Sequence, residues 1–153
     1  MCRAVQESGA DFAIVHARTT GQGYRDSADW ETIRIIRENI DIPVMGNGDI
    51  ASSRQGENMV KQGYCDGFMI ARAAMSNPPV FCNRKADSFG DRISLLEEYV
   101  SIHRRYRGEP EQKDVRMKAI HFMAGVKKAA SIREKTMKSK SVEGVFDILE
   151  KTE

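Results

Sequence analysis

The sequence predicts a mixed α/β fold: a parallel sheet built from strand–helix–strand units, followed by an all-helical unit. Three observations carry this prediction. Short, unalternating apolar runs recur at Phe12-Ala13-Ile14-Val15, Ile42-Pro43-Val44-Met45 and Gly67-Phe68-Met69-Ile70, the pattern of parallel strands buried on both faces. Amphipathic segments of helical length separate them. After Pro78-Pro79 the apolar spacing becomes three-to-four throughout.

Residues 1–8 read as the end of a helix, with the expectation that the pattern begins before Met1. The first run lies between Gly9/Asp11 and the polar His16-Ala17-Arg18-Thr19-Thr20. In segment 29–40, Ile33, Ile36 and Ile40 share one helical face, and Ser27 or Asp29 can cap its start. The second run closes on Gly46-Asn47-Gly48-Asp49. Segment 53–62 follows, with Met59 and Val60 apolar and Gly63 placed at the C-terminal end. The third run leads into Ala71-Arg72-Ala73. Strand, helix, strand, helix, strand at this spacing means parallel βαβ units. Beyond them, 91–106 (Ile93, Leu96, Val100, His103), 112–136 (Val115, Ala119, Phe122, Val126, Ala130) and 142–150 (Val142, Val145, Leu149) read as helices. Gly108 and Pro110 separate the first two, and Ser141 can cap the last. The expected division is 1–85 and 88–153, without internal repeats.

The 153 residues, 41% hydrophobic and 30% charged, fit one domain or one domain with an appendage, and exclude wholesale disorder. No apolar run reaches the ~18–20 residues that span a bilayer, and no apolar leader core opens the chain. Cys2, Cys65 and Cys82 form no CxxC pair, and His16, His103 and His121 are scattered. Neither a disulfide framework nor a metal site is expected, and the cytoplasm is the expected compartment. Net charge is +2, but residues 103–140 hold twelve basic against four acidic residues. That excess suits either a polyanion or a solvated helix surface.

Each polar cluster of the first half follows a strand, where parallel α/β folds bind ligands. Gly46 and Gly48 let backbone N–H groups approach an anion. Ala71-Arg72-Ala73-Ala74 can open a short helix whose first N–H groups and positive dipole end face an anion, with Arg72 adding a charge-assisted contact. In (β/α)8 barrels a phosphate site is often built from the loops after the last two strands plus such a helix. Turns use the same residues, so the Gly-Asn-Gly-Asp stretch alone is weak. Asp49 can either cap the following helix or contact a ligand. His16 alone suits a hydrogen-bonded strand end, and Arg18 alone a surface charge. Trp30 is expected to pack helix against sheet and Cys65 to be a small buried residue.

The ordered blocks His16-Ala17-Arg18-Thr19, Gly23-Tyr24, Ala28-Asp29-Trp30, Ile42 to Ile50, Cys65 to Ala73, Asn77-Pro78 and Phe81 resemble the flavin-dependent tRNA-dihydrouridine synthase family. The likeness is dense over about 8–82 and looser over 115–133, where Gly125, Ala130 and Arg133 stand. It implies strands six to eight of an FMN-binding TIM (β/α)8 barrel, followed by a helical tRNA-binding domain. His16 would face the flavin's pyrimidine edge. Asn47, Gly48, Ala71 and Arg72 would hold the ribityl phosphate, with Asp49 in the same cluster, and Arg18 would lie near flavin and RNA. The implied reaction reduces a uridine C5–C6 double bond. NADPH reduces the flavin, a hydride passes to C6, and a cysteine elsewhere in the barrel protonates C5.

Three departures stand out. The family usually has glycine where Ala71 stands. A histidine and an aromatic pair are usual where Lys118 and His121-Phe122 stand. Strands one to five have no counterpart, nor does the proton-donating cysteine, whose context none of Cys2, Cys65 and Cys82 shares. The expectation is a part of a longer protein, or else a barrel portion completed by its missing half or by self-association, or one whose first half packs poorly, and inactive alone. Arg104, Arg105, Arg107, Lys127, Lys128, Arg133, Lys135, Lys138 and Lys140 are the candidates for tRNA phosphate contacts. The alternatives are a non-catalytic RNA-binding fragment, or another flavin- or phosphate-binding barrel enzyme.

Overall fold

The computed structural model describes residues 1–19, 21–22 and 26–152. Thr20 and the Gly23-Tyr24 pair therefore lie outside the described residues. The chain divides into two compact units, residues 1–74 with 80–83, and 75–79 with 84–153.

In the first unit, each apolar run becomes a parallel strand: β1 Ala13–His16, β2 Val44–Asn47 and β3 Gly67–Met69, in the order β1-β2-β3. The second strand starts at Val44 rather than Ile42. Pro43 has no N–H to give the ladder, and Val44 donates its own to the Asp66 carboxylate at 2.9 Å. The register pairs His16 with Asn47 and Asn47 with Met69, so all three strands reach one rung.

Helix α1 (Cys2–Glu7) is tied to the end of the next helix. Arg3 donates to the Asn39 carbonyl at 3.2 Å, and the Gln6 amide donates to the Asp41 carboxylate at 2.9 Å. Helix α2 (Trp30–Glu38) is capped by Asp29, which accepts from the Thr32 N–H. Helix α3 (Ser53–Lys61) is capped by Ser52, which accepts from Gln55. Ile33 and Val44 are fully buried beside Trp30, Ile50, Cys65 and Ile70. The Trp30 ring lies on the strand at Gly46, where a Cβ would come within 2.4 Å of ring carbon Cζ3.

The sheet is not buried on both faces. Alternation places Val44, Gly46 and Phe68 on one side, where Trp30 covers Gly46 and Phe68 meets Gly56 of α3. On the other side Ile14 and Met69 are 54% and 41% exposed. The unalternating apolar runs anticipated helices on both sides, but α2 and α3 both pack on one.

After the short helix α4 (Arg72–Ser76) and a 3₁₀ turn at Pro78–Cys82 come α5 (Phe89–Arg107), α6 (Gln112–Phe122), α7 (Ala129–Lys138) and α8 (Val142–Glu150). A Ser88–Asp91 capping box opens α5, and the Ser141 hydroxyl accepts from Gly144 to open α8. The core of α5–α8 includes Leu96, Val100, Val115, Ala119, Phe122, Ile132, Val145 and Leu149.

The expected continuous helix over 112–136 is broken. Its chain turns between Phe122 and Ala129, with positive φ at Gly125 and Lys128. The turn shifts the helical phase, so Ala130 is exposed and Ile132 takes the core position. Arg92 of α5 closes the end of α6 by donating to the carbonyls of Phe122 at 2.6 Å and Ala124 at 2.9 Å.

Two predictions follow from the packing of the sheet. Substituting Gly46→Ala forces a methyl group against an indole that backbone and sheet hold in place. Stability is expected to fall by about 1–3 kcal/mol, read by urea denaturation with far-UV circular dichroism. The second concerns Asp66, which partial burial pushes up but which the Val44 N–H and Arg37 together hold below the ordinary 3.8. Arg37 Nε sits 2.8 Å from its Oδ1. A depressed native value stabilises the fold above the ordinary value, and that stabilisation is lost as pH falls through the native value. Between about pH 4 and pH 2 the wild-type Tm is expected to drop more steeply than that of Asp66→Asn; parallel slopes would contradict this.

Candidate functional site

The three strands end on the His16–Asn47–Met69 rung, and the loops beyond them enclose a cavity of about 220 Å³. Its walls are His16, Asn47, Gly48, Asp49, Ile50, Ala51, Met69, Ala71, Arg72 and Ala73. Six of the seven residues expected to hold a cofactor therefore share one cavity. The seventh, Arg18, stands behind it.

His16 is exposed, with Nδ1 3.2 Å from the Asn47 carbonyl oxygen. Asn47 is only 6% exposed, and its Nδ2 is buried with no hydrogen-bond partner. Buried amide donors are ordinarily satisfied, so an orphan at a cavity wall points to a ligand acceptor. Gly48 has φ +139°, and a Cβ there would lie 2.8 Å from that of Ala28. Only glycine fits both conditions. Its carbonyl accepts from the Trp30 indole N–H at 3.2 Å, fixing the loop to α2.

Asp49 does not cap α3, a role taken by Ser52. With φ +55°, Asp49 turns its carboxylate back across the loops. Oδ2 accepts from Arg18 Nη2 at 2.6 Å and from the Ala28 N–H at 2.9 Å. Oδ1 accepts from Arg72 Nη2 at 2.8 Å. The Arg18 side chain is 6% exposed and that of Arg72 60%. Arg18 also donates to the Asp26 carbonyl at 2.8 Å. Partial burial pushes the Asp49 carboxyl up, but the Ala28 N–H and the two guanidinium groups outweigh it and hold the group below the usual carboxylate range. Two cations against one anion leave the trio with a formal charge of +1.

Among the described residues, no thiol lines the cavity. Cys65 is 1% exposed, and burial pushes its thiol up. The chemistry the walls present is an amide donor, a glycine-lined backbone and an arginine at the entry to α4, a set suited to an anion with several oxygen acceptors.

The residues expected to meet RNA occupy several stretches. Arg104, Arg105 and Arg107 are exposed in the last turn of α5, and Arg104 is paired with Glu109 at 2.9 Å. Lys127 and Lys128 border a separate cavity of about 320 Å³ with Arg92 and Phe89. Arg133 is exposed on α7, as are Lys135 and Lys138, and Lys140 is exposed after it. Lys138 pairs with Glu134 at 2.6 Å.

Sequence reasoning missed Ile50, Ala51 and Met69 as cavity walls, and Arg92 as the clasp on α6. Strand register places Met69, so alternation along β3 is the signal that finds it. Arg92 carries no local signal, because its partners lie 30 and 32 residues away.

Fold and site together define a parallel α/β protein with an anion-suited cavity beyond the carboxyl ends of its strands. Residues 1–152 match the family model for dihydrouridine synthase (Dus), and the chain belongs to that family. It is 28% identical over 140 residues to a probable tRNA-dihydrouridine synthase of Aquifex aeolicus, covering 76% of this chain and 44% of the relative. Against the tRNA-dihydrouridine(16) synthase of Salmonella typhimurium it is 34% identical over 107 residues, 67% of this chain and 34% of the relative. A mouse protein, tRNA-dihydrouridine(20a/20b) synthase [NAD(P)+]-like, is 35% identical over 81 residues, 53% of this chain and 25% of the relative. The chain thus spans less than half the length of these relatives.

The orphaned amide yields a stability prediction. Replacing Asn47→Leu removes an unsatisfied buried donor and keeps the branched side-chain shape, with the cavity beside it to take the larger methyl groups, so the Tm is expected to hold or rise. A fall of several degrees in a thermal melt would show that the donor is satisfied in solution.

Proposed function

We propose that this chain is a portion of a flavin-dependent tRNA-dihydrouridine synthase. In this reading β1, β2 and β3 are strands six to eight of a (β/α)8 barrel, with residues 1–85 its FMN-binding part. Residues 88–153 form a helical tRNA-binding domain. The observation that carries the reading is the cavity where Asn47's unpartnered Nδ2, the Cβ-less Gly48 and Arg72 converge. The names of the relatives support the substrate and the reaction class.

The residues present fit a flavin phosphate. Asn47 would give its buried amide N–H, and Gly48 leaves room for backbone approach. Arg72 would give a charge-assisted donor, and Ala71 opens the short helix at the cavity's edge. His16, exposed on the rung, would meet the flavin ring, and Arg18 stabilises the cluster from behind through Asp49. FMN, when bound and reduced by NADPH, supplies the hydride for the uridine C5–C6 double bond. Among the described residues no cysteine lines the cavity, so protonation at C5 falls to a group outside this chain, and the chain alone is expected to be inactive. Arg104, Arg105, Arg107, Lys127, Lys128 and Arg133 would meet tRNA phosphates. The cytoplasm, where tRNA is modified, is the proposed compartment; among the described residues no helix is long and apolar enough to cross a membrane.

Two measurements test the reading. Fluorescence titration of FMN is expected to give saturable binding that competing inorganic phosphate weakens, and that Asn47→Leu and Arg72→Ala each weaken by about tenfold or more. Binding unaffected by either substitution would remove the phosphate assignment. Filter binding of tRNA is expected to weaken with salt at a log–log slope of roughly −0.7 to −0.9 per neutralised phosphate. Charge reversal at Lys127 and Lys128 should flatten that slope, and an unchanged slope would rule out their contact.

A further inference from the structure

Among the described residues, Asp49 is the one carboxylate in a cavity wall otherwise suited to anions. A carboxylate placed there as a ligand contact would repel what the site attracts. Its geometry gives it another use. Both oxygens are engaged by guanidinium groups, Oδ2 by Arg18 and Oδ1 by Arg72, and a backbone N–H from Ala28 completes the set. The contacts join the loops after β1, β2 and β3 through one side chain. The backbone of Asp49 sits in the left-handed region to achieve this, an uncommon conformation for a residue other than glycine. Such an outlier persists where surrounding contacts determine it.

We propose that Asp49 is a positioning residue that holds the Arg72 guanidinium at the cavity, anchored through the same carboxylate to Arg18, without itself touching the bound anion. The proposal rests on the anion-site reading above. Arg72 is long and 60% exposed, and its ion pair with Asp49 restricts the rotamers it samples. Fixing it before the ligand arrives removes an ordering cost from binding. Arg18, nearly buried, gives the carboxylate a fixed base rather than a mobile one. Because two cations share one anion, the tether holds Arg72 without cancelling the positive character of the trio.

The sign of one substitution separates the proposal from simple electrostatics. Asp49→Asn keeps a side chain that tolerates positive φ and an acceptor for Ala28, but removes the charge. Loss of a negative charge beside an anion would by itself tighten binding. Loss of the tether weakens it, by about tenfold for one oriented charge-assisted hydrogen bond. FMN titration of the full chain should show that weakening. In an Arg72→Gln background the same substitution should add nothing further, since its effect passes through Arg72. A merely structural role would add its full factor in both backgrounds. Equal or tighter binding by Asp49→Asn, or an undiminished effect without Arg72, overturns the proposal while leaving the anion site standing. If the wild-type chain binds neither FMN nor inorganic phosphate, the anion site falls and this inference with it. Should Asp49→Asn lose its far-UV circular dichroism because the nearly buried Arg18 guanidinium has lost its carboxylate counter-ion, the Arg18→Met/Asp49→Asn pair removes that charge and carries the same test, its arms read against Arg18→Met alone.

Discussion

The rim depends on one constraint: three parallel strands in register must end together. In a βαβ unit each helix returns the chain to the same edge, so every loop after a strand lies on the same side. Here the register brings His16, Asn47 and Met69 to one rung. The polar clusters that follow the strands are then neighbours without any further specification. The Trp30–Gly46 contact fixes α2 against the middle strand, and the indole N–H reaches one residue pair further to hold the Gly48 carbonyl. A bulkier residue at 46 would disturb the helix, the strand and the rim at once.

Much of this was legible in the residues. Strand positions, the α2 and α3 segments, and the Ser141 start of α8 all follow from local periodicity and capping chemistry, which act over a few residues. The clustering of His16, Asn47, Gly48, Asp49, Ala71 and Arg72 followed from their shared place after strands. What was not legible depends on distance or phase. The partners of Asp49 lie 21, 23 and 31 residues away, and no local pattern reports them. Turning φ positive at Gly125 and Lys128 shifts the helical phase, and a fixed three-to-four count carried across that point places Ala130 wrongly. The open face of the sheet was hidden for a different reason. Apolar runs record that a strand is shielded, not by what, and Ile14 and Met69 face away from α2 and α3.

The basic residues of the helical unit show how a charge count can mislead. Arg116 donates to the Met137 carbonyl at 3.0 Å, and Arg92 to two carbonyls at the end of α6. Both satisfy carbonyls that helix ends leave without intrahelical partners. Lys118 lies over the Tyr99 ring at 5.5 Å. These cations serve helix termini and packing, whereas Lys127 and Lys128 stand exposed at the turn between α6 and α7. The local excess of positive charge is therefore divided between internal fastening and surface, and Lys127 and Lys128 are surface cations that border a cavity.

Trp30 is the chain's sole tryptophan, and its indole hydrogen bond ends on the carbonyl of Gly48. The peptide it touches is part of the cavity wall. Any rotation of that peptide alters the dipole seen by the excited indole, so the colour of its emission reports the state of the rim. Nature has placed a single chromophore where a spectroscopist would have engineered one.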